Sequence, residues 1–191
     1  MEIILASASP RRLEIFNKNG YDVTVMPAEV EENIPEGIRP QDAVLFLALK
    51  KALSIEERLK AEGRDAPARI VAADTVVWKD EILGKPEDEA DARRMLTLLN
   101  GETHQVYTGT AVIDYKGGLR TVFYDCTDVE FVRYTDDDIE AYIRSGEPMD
   151  KAGAYAIQGG FAPYIREFRG SYLNVVGFPW EKYETIVIEE H

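Results

Sequence analysis

Short apolar runs alternate along this chain with stretches of helical periodicity, and that alternation restricts the fold to an α/β or α+β architecture. Glu2 to Ala6 reads as a strand. Ser9 then stands where an N-cap belongs and Pro10 at the first helical position, where its missing N–H costs nothing. Leu13 and Phe16 supply that helix with an inner face, and Asn19-Gly20 end it. A strand at Asp22 to Met26 leads into the acidic loop Glu29-Val30-Glu31-Glu32. A long helix follows, from about Asp42 to Glu62, with Leu45, Leu49 and Leu53 on one face and Lys50 and Lys51 beside it. Arg69 to Ala73 reads as a buried strand ending at Asp74-Thr75, with a further short strand at Val76 to Trp78.

From about Asp88 to Asn100, the residues Ala92, Met95, Leu96 and Leu99 recur at helical spacing, and Gly101 closes the helix. Two long strands, about Gln105 to Asp114 and Leu119 to Arg133, are joined by a hairpin turn at Tyr115-Lys116-Gly117-Gly118. Thr135 and Asp138 give the capping-box pattern of a helix that runs to Ser145-Gly146. The remainder, Asp150 to Gly177, is rich in glycine and tyrosine and ends in a strand-like Leu173 to Val176. Residues 1–191 read most simply as one domain, in which the hairpin and its helix can form a second lobe.

Charge removes several function classes. With 35 acidic against 22 basic side chains, the net charge is −13, the wrong sign for a surface that displaces counterions from a nucleic-acid polymer. The longest apolar run, Ala43 to Leu49, has seven residues, against the roughly 20 of a membrane-spanning helix. The N-terminus opens with an acid and carries its arginines after the apolar patch, so it does not read as a signal peptide. The single cysteine, Cys126, has no partner for an internal disulfide and points to a reducing cytoplasm. Two histidines and one cysteine leave a metal to carboxylates, hence magnesium or manganese.

Five places along the chain carry groups able to handle phosphate or its metal. Ser7-Ala8-Ser9-Pro10-Arg11-Arg12 brings hydroxyls, guanidiniums and free N–H groups to a helix start, suited to a phosphate or to an ordinary cap with surface arginines. Asp74 follows a buried strand, a place for a ligand-binding acid or for a turn-forming one. Gly84-Lys85-Pro86 sets a cation in a tight turn without Walker spacing, and Lys51 alone reads as a solvated helix cation. Glu31-Glu32 are either a solvated pair or oxygen ligands for magnesium. Near the C-terminus, Gln158 offers both a donor and an acceptor, enough to read the imide edge of a pyrimidine.

The order of these segments matters more than any one. Ser-x-Ser-Pro-Arg-Arg from Ser7, Val30-Glu31-Glu32, Ala-x-x-Lys-Ala around Lys51, Ala73-Asp74-Thr75-Val76-Val77, Gly84-Lys85-Pro86 and Asp150-Lys-Ala-Gly-Ala-Tyr155 through Gln158-Gly159 together resemble the Maf family of nucleoside triphosphate pyrophosphatases. The match extends from Ser7 to Pro179, and the segment with Gln158 is similar to the branch acting on dTTP and UTP.

The resemblance implies an α/β fold with a central twisted mixed sheet, flanking helices and a deep cleft, similar to the inosine triphosphate pyrophosphatases. It implies a divalent metal, a nucleoside triphosphate substrate and a homodimer. Asp74 matches the proton acceptor; Arg11, Thr75 and Gln158 match the positions that govern substrate choice. Ser7, Arg12, Glu32, Lys51 and Lys85 match the remaining polar lining, with Glu32 and Asp74 as the metal's carboxylates. Ala156 and Phe178 depart from the pattern at positions that bear on how the base packs. The implied activity is hydrolysis of dTTP and UTP, with modified pyrimidine triphosphates as further substrates. The alternative is a nucleotide-binding regulator of septum formation without turnover.

Overall fold

The computed structural model describes residues 1–189. The first apolar run forms β1 (Glu2–Leu5), and α1 (Pro10–Lys18) starts on the expected proline. Ser9 occupies the N-cap position, but its hydroxyl makes no cap bond; its backbone N–H instead donates to Ser7 Oγ at 3.2 Å. β2 (Val23–Val25) and β3 (Ala68–Lys79) flank β1, both parallel to it, with Ile3 opposite Val23 on one side and Arg69 on the other. β4 (Glu81–Leu83) folds back antiparallel on β3. α3 (Glu89–Leu99) buries the predicted stripe of Ala92, Met95, Leu96 and Leu99, and Asp88 caps it by accepting from Asp91 N–H.

β5 (Thr103–Tyr115) and β6 (Arg120–Phe131) are joined through the predicted turn, where Lys116 takes φ 59°. α4 (Asp136–Arg144) carries the full capping box of Thr135 and Asp138. β7 (Ile165–Arg169) pairs antiparallel with β6. The result is a mixed seven-stranded sheet in the order β2-β1-β3-β5-β6-β7, with β4 attached to β3.

The chain divides into two compact units. The first comprises residues 1–74, 108–125 and the described residues from Gly177 on; the second comprises 75–107 and 126–176. Each has its own core. In the first, Ile4, Ala48, Ile55, Leu59, Ile70 and Ile113 pack together, and Phe16, Phe178, Trp180 and Tyr183 form an aromatic cluster. In the second, Leu83, Leu96, Val129, Ile139 and Phe161 are buried together around Phe131. His104 sits there edge-on to Phe131 and shares a 2.7 Å hydrogen bond with Tyr155; burial holds its imidazole down to about 3, so it is neutral. The turn end of the hairpin lies in the first unit and α4 in the second.

Two expectations are corrected, and the inner face of one helix is decided. The sequence puts Leu45, Leu49 and Leu53 on one face of α2 (Pro40–Ala61), and Leu49 and Leu53, with the neighbouring Phe46, are 37%, 38% and 44% exposed, so that face is not the inner one. The buried face is Val44, Leu47, Ala48, Lys51, Ala52 and Ile55. Apolar residues surround much of this helix, so periodicity does not select a side; a close approach does. A Cβ on Gly109 of β5 would fall 2.4 Å from the backbone carbon and oxygen of Val44. The helix is therefore seated at Val44 on a strand that has no side chain there, and positions three, four and seven residues on turn inward with it. Gly109→Ala is expected to lower unfolding free energy by about 1–3 kcal/mol or more, read by urea denaturation; an unchanged midpoint would refute that close seat.

Next, β3 is one continuous strand through Asp74 and Thr75, where two strands were expected. A buried aspartate opposes strand propensity, and an ion pair described below compensates it. Last, Leu173 to Val176 belongs to a short helix, α5 (Tyr172–Val176), ahead of α6 (Trp180–Tyr183). Four apolar residues do not distinguish strand from helix. Here Ser171 Oγ accepts from Asn174 N–H, and the buried Asn174 amide donates to Val106 O and Thr127 Oγ1, each at 3.0 Å.

Candidate active site

Because α2 turns Val44 and Leu47 inward, it carries Lys51 inward as well. Its ammonium lies 2.5 Å from Asp74 Oδ1 on β3 and 2.7 Å from Glu32 Oε1 on the acidic loop. Lys51 and Asp74 are only 9% and 7% exposed, so this is a buried pair with an exposed third member. The neighbouring Lys50 donates to the Glu31 carbonyl at 2.6 Å. Adjacent lysines, about 100° apart around the helix, thus grip consecutive loop residues and pin Glu32 in place.

Burial lifts the Asp74 carboxyl above its usual range; Lys51 and then Arg12 draw it back, and Glu32 pushes it up. Arg12 is held from α1 by two acceptors. Its Nε donates to the Gly177 carbonyl at 2.8 Å and its Nη1 to Ser7 Oγ at 3.1 Å. Burial pulls this guanidinium down, against the attraction of Asp74, with Arg11 adding to the effect and Glu32 opposing it. An arginine nonetheless stays charged.

Six predicted residues, Ser7, Arg11, Arg12, Glu32, Lys51 and Asp74, therefore stand in the first unit. Arg12 and Ser7 touch; Lys51, Glu32 and Asp74 touch; and Arg12 feels the charges of Arg11, Glu32 and Asp74. Lys51 is not the solvated cation that its spacing alone suggests. Thr75, Lys85 and Gln158 belong to the second unit. Thr75 follows Asp74 and so takes the opposite side of the pleat. Lys85 is exposed in its turn, and Gln158 is exposed on its loop. The turn and the glycine-rich segment are linked, since Gly153 N–H donates to the Gly84 carbonyl at 3.0 Å.

Among the described residues, no group of three or more His, Cys, Asp or Glu gathers as a metal cage. What Glu32 and Asp74 offer is a pair of carboxylates drawn to a single cation. That donor set fits magnesium or manganese, which take hard oxygen ligands and complete their shells with water and substrate phosphate. No helix among the described residues is long and apolar enough to cross a membrane.

The family model described as Maf-like protein matches residues 2–189. The chain belongs to the Maf family. A dTTP/UTP pyrophosphatase of Agathobacter rectalis is 45% identical to this Maf chain, with 93% of the chain and 92% of the relative covered. A Bacillus cereus dTTP/UTP pyrophosphatase is 44% identical over 93% of the chain and 90% of the relative. Among solved structures, the Staphylococcus aureus Ham1 protein aligns over 100% of both chains with a TM-score of 0.50 and 13% identity, a likeness of fold.

Two groups that hold this cluster escape the motifs. Lys50 differs from Lys51 only by the way α2 is turned, which no local pattern reveals. The Gly177 carbonyl reaches Arg12 across 165 residues of sequence, and main-chain acceptors leave no residue-type signal.

Proposed function

We propose that this Maf chain hydrolyses dTTP and UTP to the nucleoside monophosphate and pyrophosphate. The relatives named dTTP/UTP pyrophosphatase support the substrate and the reaction. One observation carries the site: a buried ammonium, Lys51, holds Asp74 at 2.5 Å while Arg12 is fixed nearby on Ser7 and Gly177.

Asp74 is the proton acceptor. As the oxygen of water bonds to the α-phosphorus, a water proton passes to the Asp74 carboxylate. The bond from that phosphorus to the oxygen bridging the β-phosphorus breaks, and the bridging oxygen leaves with pyrophosphate. Lys51 orients Asp74 and keeps it ionised until the proton arrives. A carboxylate lifted by burial is a stronger base than an exposed one, which suits this task. Arg11, Arg12 and Lys85 stabilise charge on the leaving group, and Gln158 and Thr75 contribute to base choice. Magnesium or manganese, held by Glu32 with Asp74, would neutralise part of the triphosphate's charge when bound.

A local cluster of cations is required by the charge of −13, which repels a triphosphate at long range. Cytoplasmic residence and a homodimer belong to the same proposal. The test is a panel of canonical and modified triphosphates with magnesium or manganese, with products separated by chromatography. Equal amounts of dTMP and pyrophosphate are expected from dTTP. Orthophosphate with a diphosphate would mean an ordinary phosphatase, and tight binding without turnover would favour the regulator of septum formation.

A further inference from the structure

Gln158 is exposed in an irregular stretch between two short 3-10 turns, Ala152–Ala154 and Ala162–Tyr164. A side chain on such a loop discriminates between bases only if its backbone is held, because ordering it during binding would consume the gain. The backbone on either side is in fact held. Two residues before Gln158, Ala156 N–H donates to the Tyr142 hydroxyl at 3.3 Å. Two residues after it, Gly160 N–H donates to Glu147 Oε2 at 3.1 Å. The two anchors are bonded to each other, since the Tyr142 hydroxyl donates to Glu147 Oε1 at 3.2 Å.

We infer that Glu147 and Tyr142 form a clamp that sets the position of Gln158 and so governs the choice of base. This rests on the assignment of Gln158 to the base made above. Gly159 shows how tightly the clamp closes: a Cβ there would lie 2.3 Å from Glu147 Oε1, and its φ is +101°. Only glycine lets the loop settle on the carboxylate. Glu147 is fixed in turn, its carbonyl accepting from Lys151 Nζ at 2.8 Å and its N–H donating to Ser145 Oγ at 3.2 Å. Tyr142 is anchored on the buried face of α4, with its ring 4.8 Å from that of Phe161. Burial and the Glu147 charge hold the phenol protonated, as a donor must be.

Neither residue touches substrate in this scheme; both are positioning residues. The experiment measures kcat/KM for UTP and for ATP in the wild-type protein and in Glu147→Ala, Glu147→Gln, Tyr142→Phe, Gln158→Ala and the double variant Glu147→Ala with Gln158→Ala. Glu147→Ala is expected to reduce the UTP-to-ATP ratio by about tenfold, the effect of one lost charged hydrogen bond, mainly through KM for UTP. Glu147→Gln retains one acceptor oxygen and should fall between it and the wild type. The double variant should discriminate no worse than Gln158→Ala alone, because both changes act through one side chain. Should Glu147→Ala not fold, Tyr142→Phe, which removes the hydroxyl alone, carries the same comparison. Unchanged ratios in the clamp variants, or additive losses in the double variant, overturn the clamp while Gln158 keeps its role. A Gln158→Ala variant with wild-type discrimination would instead remove the base assignment, and the clamp with it.

Discussion

Asp74→Asn is expected to lower kcat on dTTP by about 10²–10⁴-fold while leaving the melting temperature at or above that of the wild type. The two effects have one origin. Burial raises the Asp74 pKa, so the native state binds that proton more tightly than the unfolded chain does. Above that pKa the ionised carboxylate therefore costs native stability, and the cost fades as the pH falls below it. Asparagine removes the charge but keeps an oxygen able to accept from Lys51, and Lys51 keeps Glu32 at 2.7 Å. Steady-state kinetics and thermal unfolding at neutral pH check both halves. Near wild-type turnover would dismiss Asp74 as the proton acceptor, and a large fall in melting temperature would show that its charge stabilises the fold.

Lys51→Met has the opposite consequence for stability. Methionine fills similar space but leaves a buried carboxylate without the ammonium that touches it. Breaking a buried pair from one side typically costs about 3–5 kcal/mol, and this loss should shrink as acid protonates Asp74. The catalytic pH profile should move as well. Lys51 is the strongest influence drawing the Asp74 pKa down, so its removal leaves burial less opposed and shifts the acid limb of kcat/KM to higher pH. Urea unfolding at mildly acidic and neutral pH, with a pH–rate profile, measures these effects. An acid limb that stays in place would mean that another group sets it.

Much of this was readable before any coordinates. Pro10 at a helix start, the stripe from Ala92 to Leu99 and the box of Thr135 and Asp138 depend on neighbours within one helical turn, and all three occur as read. The residues grouped around Asp74 and Arg12 were also readable, because Ser7, Arg12, Lys51 and Asp74 sit in motifs whose order is specific. What failed were decisions that contacts distant in sequence make. The leucine face of α2 and the face of Val44 are equally apolar in sequence until Gly109 seats the helix at Val44. Asp74 looks like a strand end until Lys51 makes a buried carboxylate tolerable in mid-strand. Glu147 gives no local sign that its carboxylate will receive Gly160 thirteen residues on.

Sequence by itself determined the alternation of strands and helices, the family and the kinds of charge available for phosphate. Those follow from short-range periodicity, capping and residue type. Only the tertiary structure decided that Lys51 is buried, that it joins Asp74 to Glu32, and that a phenol–carboxylate pair brackets Gln158. The physical reason is the same in each case. A helix with apolar residues around much of its girth, or a loop with free backbone donors, has several acceptable local arrangements, and the choice falls to whichever distant backbone or side chain can pack and bond against it.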